Sequence, residues 1–331
     1  MKAILRICSL MLFSAIMLVS ITGCKYFKKK VPPSEMFTKA EQFRQSNELI
    51  NAANQYDELL EIHSDSELAP AALYYSGICK YTLSIRCPGK NAFEQQKAEL
   101  SKTKKDEYQR CIDLMEKQGR SFVYEETLDT YLYNGREFDR LIERYSVSDL
   151  VDDAAFQRVR TRIVEHQQRQ TLTVANILQL YADFFEQYPH SPYRKNGVED
   201  MQKLLSEYPG AFADHPTIIE TYRKFTPFVD DFPELTKLSY LLGKRLLKEG
   251  DPEGAASVLG VPSVVGIGIV NTQRTALNIR RNQGTQYQII GKAQKGDELL
   301  IIESTGQWYH VQLQDGTLGY AHKDYVKIGQ E

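Results

Sequence analysis

The side chains of this 331-residue chain best suited to chemistry are six histidines, five cysteines and 43 acidic residues. Chemistry needs them in company. His63, His166, His190, His215, His310 and His322 never stand three or four residues apart, and no HExxH segment exists. No helix face can therefore present two of them to a metal. Gly266-Ile267-Gly268 lacks the third glycine and the following helix of a dinucleotide site. No serine sits in GxSxG. The carboxylates fall on helical stretches, where they read as solvated faces. The sequence thus offers no catalytic group, no metal site and no cofactor site, and the chain is expected not to be an enzyme.

The cysteines say more. Lys2 and Arg6 precede an apolar run from Ile7 to Ile21, and small residues stand just before Cys24. A positive start, an apolar core and a small-residue end describe a secretory signal. An uncleaved anchor is the competing reading, because Ile4 to Thr22 approaches the roughly 20 apolar residues that span a bilayer. Ile21-Thr22-Gly23-Cys24 resembles the lipobox of bacterial lipoproteins. That resemblance implies a diacylglyceryl group on the Cys24 sulfur, cleavage after Gly23, and acylation, palmitate included, of the new amino terminus. Stable anchoring takes two lipid signals, and such proteins carry three chains. Lys25, Lys28, Lys29 and Lys30 follow, either as a solvated tether or as attraction to anionic head groups of about 1 kcal/mol each. In enterobacterial lipoproteins an Asp after the acylated Cys signals inner-membrane retention. Lys25 points instead to the periplasmic face of the outer membrane, with the inner membrane as second reading.

Cys79, Cys87 and Cys111 remain, an odd number in an oxidising compartment. Cys79 lies in an apolar helical stretch, Ala71 to Thr82, and is expected as a buried thiol. Cys87, in the turn-like Arg86-Cys87-Pro88-Gly89, is a candidate disulfide partner of Cys111, a pairing that sequence leaves open. None has CxxC spacing. Removing residues 1–23 takes Lys2 and Arg6 and no acid, which turns the formal charge from −2 to −4. That balance requires no basic face, and nucleic acid is not an expected partner.

The elements that carry these residues announce themselves by repetition. Tyr56-Asp-Glu-Leu59-Leu60-Glu61-Ile-His63 reappears as Phe138-Asp-Arg-Leu141-Ile142-Glu143-Arg-Tyr145 and as Tyr181-Ala-Asp-Phe184-Phe185-Glu186-Gln-Tyr188. A serine follows each copy three residues later: Ser66, Ser148 and Ser191. A weaker copy runs from Phe225 to Phe232. The spacings are 82, 43 and 44 residues, a period that reads as a stack of helical hairpins. Aromatic or apolar residues at i, i+3, i+4 and i+7 share one helix face, with acids on the other. His63 takes the place of a later tyrosine and reads as packing. Tyr188-Pro189-His190-Ser191-Pro192 and Tyr208-Pro209-Gly210 end helices. Leu242-Gly243, Leu246, Gly250-Asp251 and Ala255 have the spacing of the tetratricopeptide repeat. The earlier copies resemble the divergent hairpins of the lipoprotein subunit in the outer-membrane β-barrel assembly machine. The resemblance covers roughly residues 35–260. It loosens between Lys80 and Asp129, which reads either as long surface helices or as an excursion; the structure of residues 85–129 stays open.

Near Val261 the period changes to short strands. Leu277 to Arg280, Gln288 to Ala293, Glu298 to Glu303, Trp308 to Leu313 and Thr317 to His322 are separated by tight-turn glycines, Asp315-Gly316 being a strong hairpin signal. Five such strands read as a small barrel. Leu277-Asn278-Ile279-Arg280, Ile290-Gly291, Lys295-Gly296, Trp308-Tyr309-x-Val311, Asp315-Gly316-x-x-Gly319-Tyr320 and His322-x-x-Tyr325-Val326 resemble the bacterial Src-homology-3 domain. The resemblance implies cell-wall or peptide binding. Tyr320 stands where a Trp usually follows the glycine, which leaves an aromatic but puts a transferred ligand preference in doubt. On the strand from Trp308, alternation puts Tyr309, Val311 and Leu313 toward the core and Trp308, His310 and Gln312 on the other face. Tyr287, Trp308, Tyr320 and Tyr325 are the groove candidates; Trp308 packing under a long loop is the alternative. The apolar segment from Gly260 to Val270 is a poor flexible linker and is expected to dock the barrel on the last hairpin.

The expected organisation is a removed signal at 1–23, a lipidated tether at 24–34, and a tetratricopeptide-like solenoid at 35–260. A connector at 261–270 and a five-stranded Src-homology-3-like barrel at 271–331 complete it. The expected function is a periplasmic scaffold lipoprotein that binds envelope proteins through the repeats and peptidoglycan or peptide through the barrel. An accessory of outer-membrane β-barrel assembly and a recruiter of a cell-wall hydrolase are the alternatives.

Overall fold

The computed structural model describes residues 31–207, 212 and 214–328. Cys24, its signal segment and the helix stop at Tyr208-Pro209-Gly210 lie outside the described residues. The chain divides into two units, Met1–Cys79 and Lys80–Glu331.

In the first unit, α1 (Pro33–Gln45) and α2 (Leu49–Ile62) pack side by side, and α3 (Ala69–Arg86) begins. Pro33, expected within the tether at 24–34, opens α1 instead, because a first-turn proline forgoes no helix hydrogen bond. Tyr56, fully buried, donates its hydroxyl to the Glu41 carboxylate, which also takes two bonds from Arg44, at 2.9 and 2.6 Å. Phe37, Tyr56 and Tyr75 form a ring cluster with centroids 5.7 to 6.3 Å apart. His63 is half-buried at the end of α2, and its Nε2 donates to the Val31 carbonyl at 2.8 Å. Cys79 is a buried cysteine outside any disulfide.

In the second unit, α4 (Lys90–Gln96), α5 (Lys102–Lys117) and a hairpin of β1 (Phe122–Glu125) and β2 (Thr130–Tyr133) occupy the segment where the repeat lapses. The sequence reading offered helices or an excursion there and did not foresee the β-hairpin. Its signal is two runs rich in aromatic and branched residues, Phe122-Val-Tyr-Glu125 and Thr130-Tyr-Leu-Tyr133, on either side of a turn. A disulfide joins Cys87 to Cys111, with Cα atoms 6.4 Å apart, and ties the end of α3 to α5.

The hairpins then resume with α6 (Arg136–Arg144), α7 (Val151–Gln168), α8 (Val174–Gln187), α9 (Arg194–Glu207), α10 (His215–Arg223), α11 (Glu234–Lys248) and α12 (Pro252–Leu259). The repeated segments are one structural device. His63, Tyr145 and Tyr188 each cap a helix, the backbone N–H donating to the carbonyl four residues back. The N–H of Ser66, Ser148 and Ser191 then bonds that capping residue's carbonyl, and each serine Oγ accepts from the N–H two residues on. This tight turn launches the next helix. Leu235 takes the serine's place in the fourth copy and keeps the backbone bond, to the Phe232 carbonyl at 2.9 Å. There Pro227 reduces the helix to a 3-10 turn at Thr226–Phe228.

Sixteen residues after each lead aromatic stands a small buried residue: Ala72, Ala154 and Gly197. At Gly197 a Cβ would meet the Tyr181 ring at 3.1 Å and the Phe185 ring at 3.2 Å, so α9 lies directly on α8's aromatics. In the last hairpin Gly243 lies against Leu259, and Gly250, at φ +82°, makes the turn. Asp251 follows as N-cap, accepting the Gly254 N–H at 2.7 Å. Helix α8 packs on α10, α10 on α12, and α9 on α11.

The C-terminal module is a seven-stranded antiparallel sheet, in the order β5-β4-β8-β7-β6-β3-β9. The strands are β3 (Gly266–Val270), β4 (Leu277–Arg280), β5 (Ile289–Ala293), β6 (Glu298–Thr305), β7 (Trp308–Gln312), β8 (Leu318–His322) and β9 (Val326–Ile328). The five expected strands are all present, and two more join them. The expected connector is in part a strand: Gly266 to Ile269 pair with β6, and Gly268 to Val270 pair with β9. A strand suits Gly-Ile-Gly-Ile-Val because its branched side chains alternate, and Val270, 1% exposed, enters the module's core with Ile279, Ile301 and Val311. The module is also built onto α11. Tyr240 donates to the Glu298 carbonyl at 2.8 Å, Lys244 pairs with the Glu298 carboxylate, and Leu300 joins the hairpins' core.

Candidate ligand-binding groove

Strands β7 and β8 set the groove by register. Trp308 lies opposite His322, His310 opposite Tyr320 and Gln312 opposite Leu318 on one face. On the other, Tyr309 faces Ala321 and Val311 faces Gly319, and these line the core. The two faces are those that alternation dictates, although Gln312, on the face of Trp308 and His310, is itself buried. Across the outer face the rings meet in pairs. Trp308 stands edge-on to His322 at 5.0 Å, His310 stacks on Tyr320 at 4.8 Å, and His322 tilts toward Tyr325 at 5.9 Å.

Trp308, His322 and Tyr325, with Asn278, Arg280 and Asp324, line an open groove of about 1100 Å³. Its other wall is the loop from Asn271 to Ala276. Three cations line it, Arg274, Arg280 and Lys295, against the single carboxylate of Asp324. The groove is thus positive in a chain whose formal charge is −2. His322 Nδ1 lies 3.4 Å from the Asp324 backbone N and 3.5 Å from Asp324 Oδ2, which ties the ring to the 3-10 turn. Burial holds the His310 pKa below the usual imidazole range, against the opposing pull of Glu303 across the strands, so this ring is uncharged at neutral pH.

Arg280 has a second task. Its Nη1 donates to the carbonyls of Thr285 and Tyr287, at 2.7 and 2.8 Å, and so closes the loop between β4 and β5. Tyr287 is carried on that loop, 40% exposed, and is not among the lining residues. Tyr320 lies on the same face as Trp308 but on β8, opposite His310, on which it stacks, and it is not among the residues that line the groove. Of the four groove candidates, the structure brings together Trp308 and Tyr325 and sets Tyr287 and Tyr320 outside. The ring beside Trp308 is His322, which sequence reasoning treated only as part of a motif. Its signal is the spacing His322-x-x-Tyr325, which a single 3-10 turn at Lys323–Tyr325 folds onto one side. Among the described residues, no group of three or more His, Cys, Asp or Glu is placed to hold a metal ion. No described helix is long and apolar enough to cross a membrane.

Residues 275–327 match the bacterial SH3 domain. Strand β3 precedes the matched segment, so this SH3 domain borrows a strand from the stretch that leaves the last hairpin. No curated protein matches the chain. A solved structure of a tetratricopeptide repeat protein from Parabacteroides merdae is similar at 15% identity, over 69% of this chain and 91% of that one, with a TM-score of 0.16. So slight a superposition carries no argument. The tetratricopeptide-like character of the helical part rests on the repeated cap, turn and small-residue contact described above. The chain therefore joins helical repeats to an SH3 domain, two kinds of binding module.

Proposed function

We propose that this chain is a non-catalytic scaffold of a bacterial envelope, anchored through lipid on Cys24 at the periplasmic face of the outer membrane. Its helical hairpins bind protein partners, and its SH3 groove binds the peptide part of the cell wall. The observation that carries the wall-binding half is the groove itself. Trp308 and Tyr325 offer aromatic faces, and Arg274, Arg280 and Lys295 offer positive charge, which suits a carboxylate-bearing peptide. The lipobox-like end of the signal segment carries the anchor.

Two measurements test this reading. Mature chain carrying Cys24→Ala, otherwise complete, is incubated with purified peptidoglycan and sedimented. It should pellet with the wall, and Trp308→Ala should weaken binding about tenfold, the loss expected of one aromatic anchor. A folded protein that stays in the supernatant sinks the wall-binding half. In cells, Cys24→Ala should move the protein from the membrane to the soluble fraction; unchanged fractionation contradicts the anchor.

A further inference from the structure

The cations that line the SH3 groove have no carboxylate to answer them. Arg274 and Lys295 are exposed, and neither has an ion-pair or hydrogen-bond partner among the described residues. Arg280 is half-buried, and its bonds go to the Thr285 and Tyr287 carbonyls, which accept its N–H groups but cancel no charge. The nearby acids are engaged otherwise. Asp297, two residues from Lys295, accepts the Gln294 N–H at 2.6 Å and does not line the groove. Asp324, the one carboxylate of the lining, lies 3.5 Å from His322 Nδ1. Three cations against one acid leave a surplus of two positive charges.

Three other pockets lack this surplus. In the one beside Ile142 and Phe184, Asp139 and Asp183 stand with Arg158 and Arg162. Where α11 meets the SH3 domain, Lys237, Lys244 and Lys292 stand with Asp297, Glu298 and Asp315. Lys244, Arg245 and Lys248 line the pocket beside Phe212, and each is ion-paired, the two lysines with Glu298 and the arginine with Glu249. The groove is different in kind. Its unmet cations lie beside the aromatic faces of Trp308 and Tyr325, and a cleft lined by one sign of charge concentrates the opposite sign within it.

We propose that the groove takes a peptide segment carrying two free carboxylates, which together match its surplus, while Trp308 and Tyr325 cover the apolar atoms between them. Charge complementarity sets the number of carboxylates. Asn271, Thr275 and Asn278 in the lining add amide and hydroxyl groups that can pair with a peptide backbone, which a bare anion would not use. The consequence is selectivity within the wall. A carboxylate converted to an amide, by cross-linking or by amidation, loses its charge, and the segment that carries it binds less well. The inference rests on the reading of the groove as the wall-peptide site and deepens it. The two fail separately: wall that pellets the protein while peptides of different charge bind alike removes the inference and leaves that reading.

Trp308 is the chain's single tryptophan, so its indole N–H gives one NMR signal that reports this groove. The mature chain carrying Cys24→Ala is titrated with acetyl-Ala-Glu-Ala-Ala bearing a free carboxyl end, with its carboxy-terminal amide, and with that amide carrying Gln for Glu. These peptides hold two, one and no negative charges. The signal should shift saturably with the first, and affinity should fall about fivefold at each step, the worth of one exposed charge pair. Added salt should narrow the steps. Arg274→Gln with Lys295→Gln leaves Arg280 against Asp324, a balanced groove; it should keep the melting temperature and level the three affinities. The proposal is overturned if folded protein shows no saturable shift with the first peptide, if the three peptides bind alike, or if their order survives the double change. It is equally overturned if inorganic phosphate moves the signal at the concentrations at which the first peptide does, which would make any small anion the occupant.

Discussion

Lys80 Nζ lies 2.8 Å from Glu137 Oε1, and each side chain is 3% exposed. Ser121 Oγ donates to the same oxygen at 2.7 Å. Between these two residues in sequence lies the segment where the repeat lapses, so the pair fastens α3 to α6 across α4, α5 and the β-hairpin. Burial pushes the Glu137 carboxyl up, and the Lys80 ammonium and the Ser121 hydroxyl more than reverse this, holding it below the usual carboxylate range. Tyr133 stands beside it, its own pKa pushed well up by burial and then by the Glu137 charge.

Removing one partner leaves a buried charge without compensation. Lys80→Met should therefore destabilise the protein by about 3–5 kcal/mol, and the double change Lys80→Met with Glu137→Leu should recover most of that loss. Urea unfolding of both variants checks it; equal losses in the single and double variants would refute the pairing. The pair also predicts an acid limb. Because the folded pKa of Glu137 is depressed, its contribution is complete above the unfolded carboxylate value of about 4.3 and is lost as pH falls toward the folded pKa. Stability measured from pH 6 down to pH 3 should fall less steeply in the double variant.

Gly197 reports how closely α9 approaches α8. Alanine gains about 1 kcal/mol of helix propensity but must press on the Tyr181 and Phe185 rings, so Gly197→Ala should be nearly neutral. Gly197→Val overpacks the joint and should cost about 1–3 kcal/mol. Thermal melts of the two variants separate these outcomes, and a tolerated valine would show that the helices are not in contact there.

The disulfide between Cys87 and Cys111 closes a loop with a sequence separation of 24. Reduction, or Cys87→Ser, should cost about 2–4 kcal/mol. Proteolysis should then strike the segment between α3 and α6 first. Protection unchanged by a reductant would show that the cross-link contributes nothing.

The borrowed strand has a consequence for the SH3 domain. Among the described residues strand β9 pairs only with β3, and β6 has β3 as one of its two neighbours, so a fragment of residues 271–331 loses a partner on both. It also exposes Leu300, which is fully buried in the intact chain. That fragment should be unfolded or aggregated by circular dichroism. A cooperatively folded fragment would mean that β3 is dispensable.

Much was legible before any coordinates. The period of Tyr56, Phe138, Tyr181 and Phe225, the serine turn after the first three copies, and the alternation through Trp308 to Leu313 are local patterns. Local patterns fix elements because side-chain spacing along a helix or strand decides which face is apolar. What the sequence did not determine are relations between distant residues. Its strand count stopped at five because Gly266 to Val270 has no turn signal to mark it as a strand, and its neighbours are β6 and β9, distant in sequence. Nor did it pair Trp308 with His322, set Tyr287 and Tyr320 aside, or find the ion pair of Lys80 and Glu137. Each of these depends on register across a sheet or on two helices meeting, which no periodicity records. The sequence by itself determined repeats, turns and the kinds of module; only the tertiary structure decided which charges are met, as Lys80 is by Glu137, and which line a groove unmet, as Arg274 and Lys295 do. The physical reason is that a side chain's type sets what it can pair with, while the fold around it sets what stands within reach.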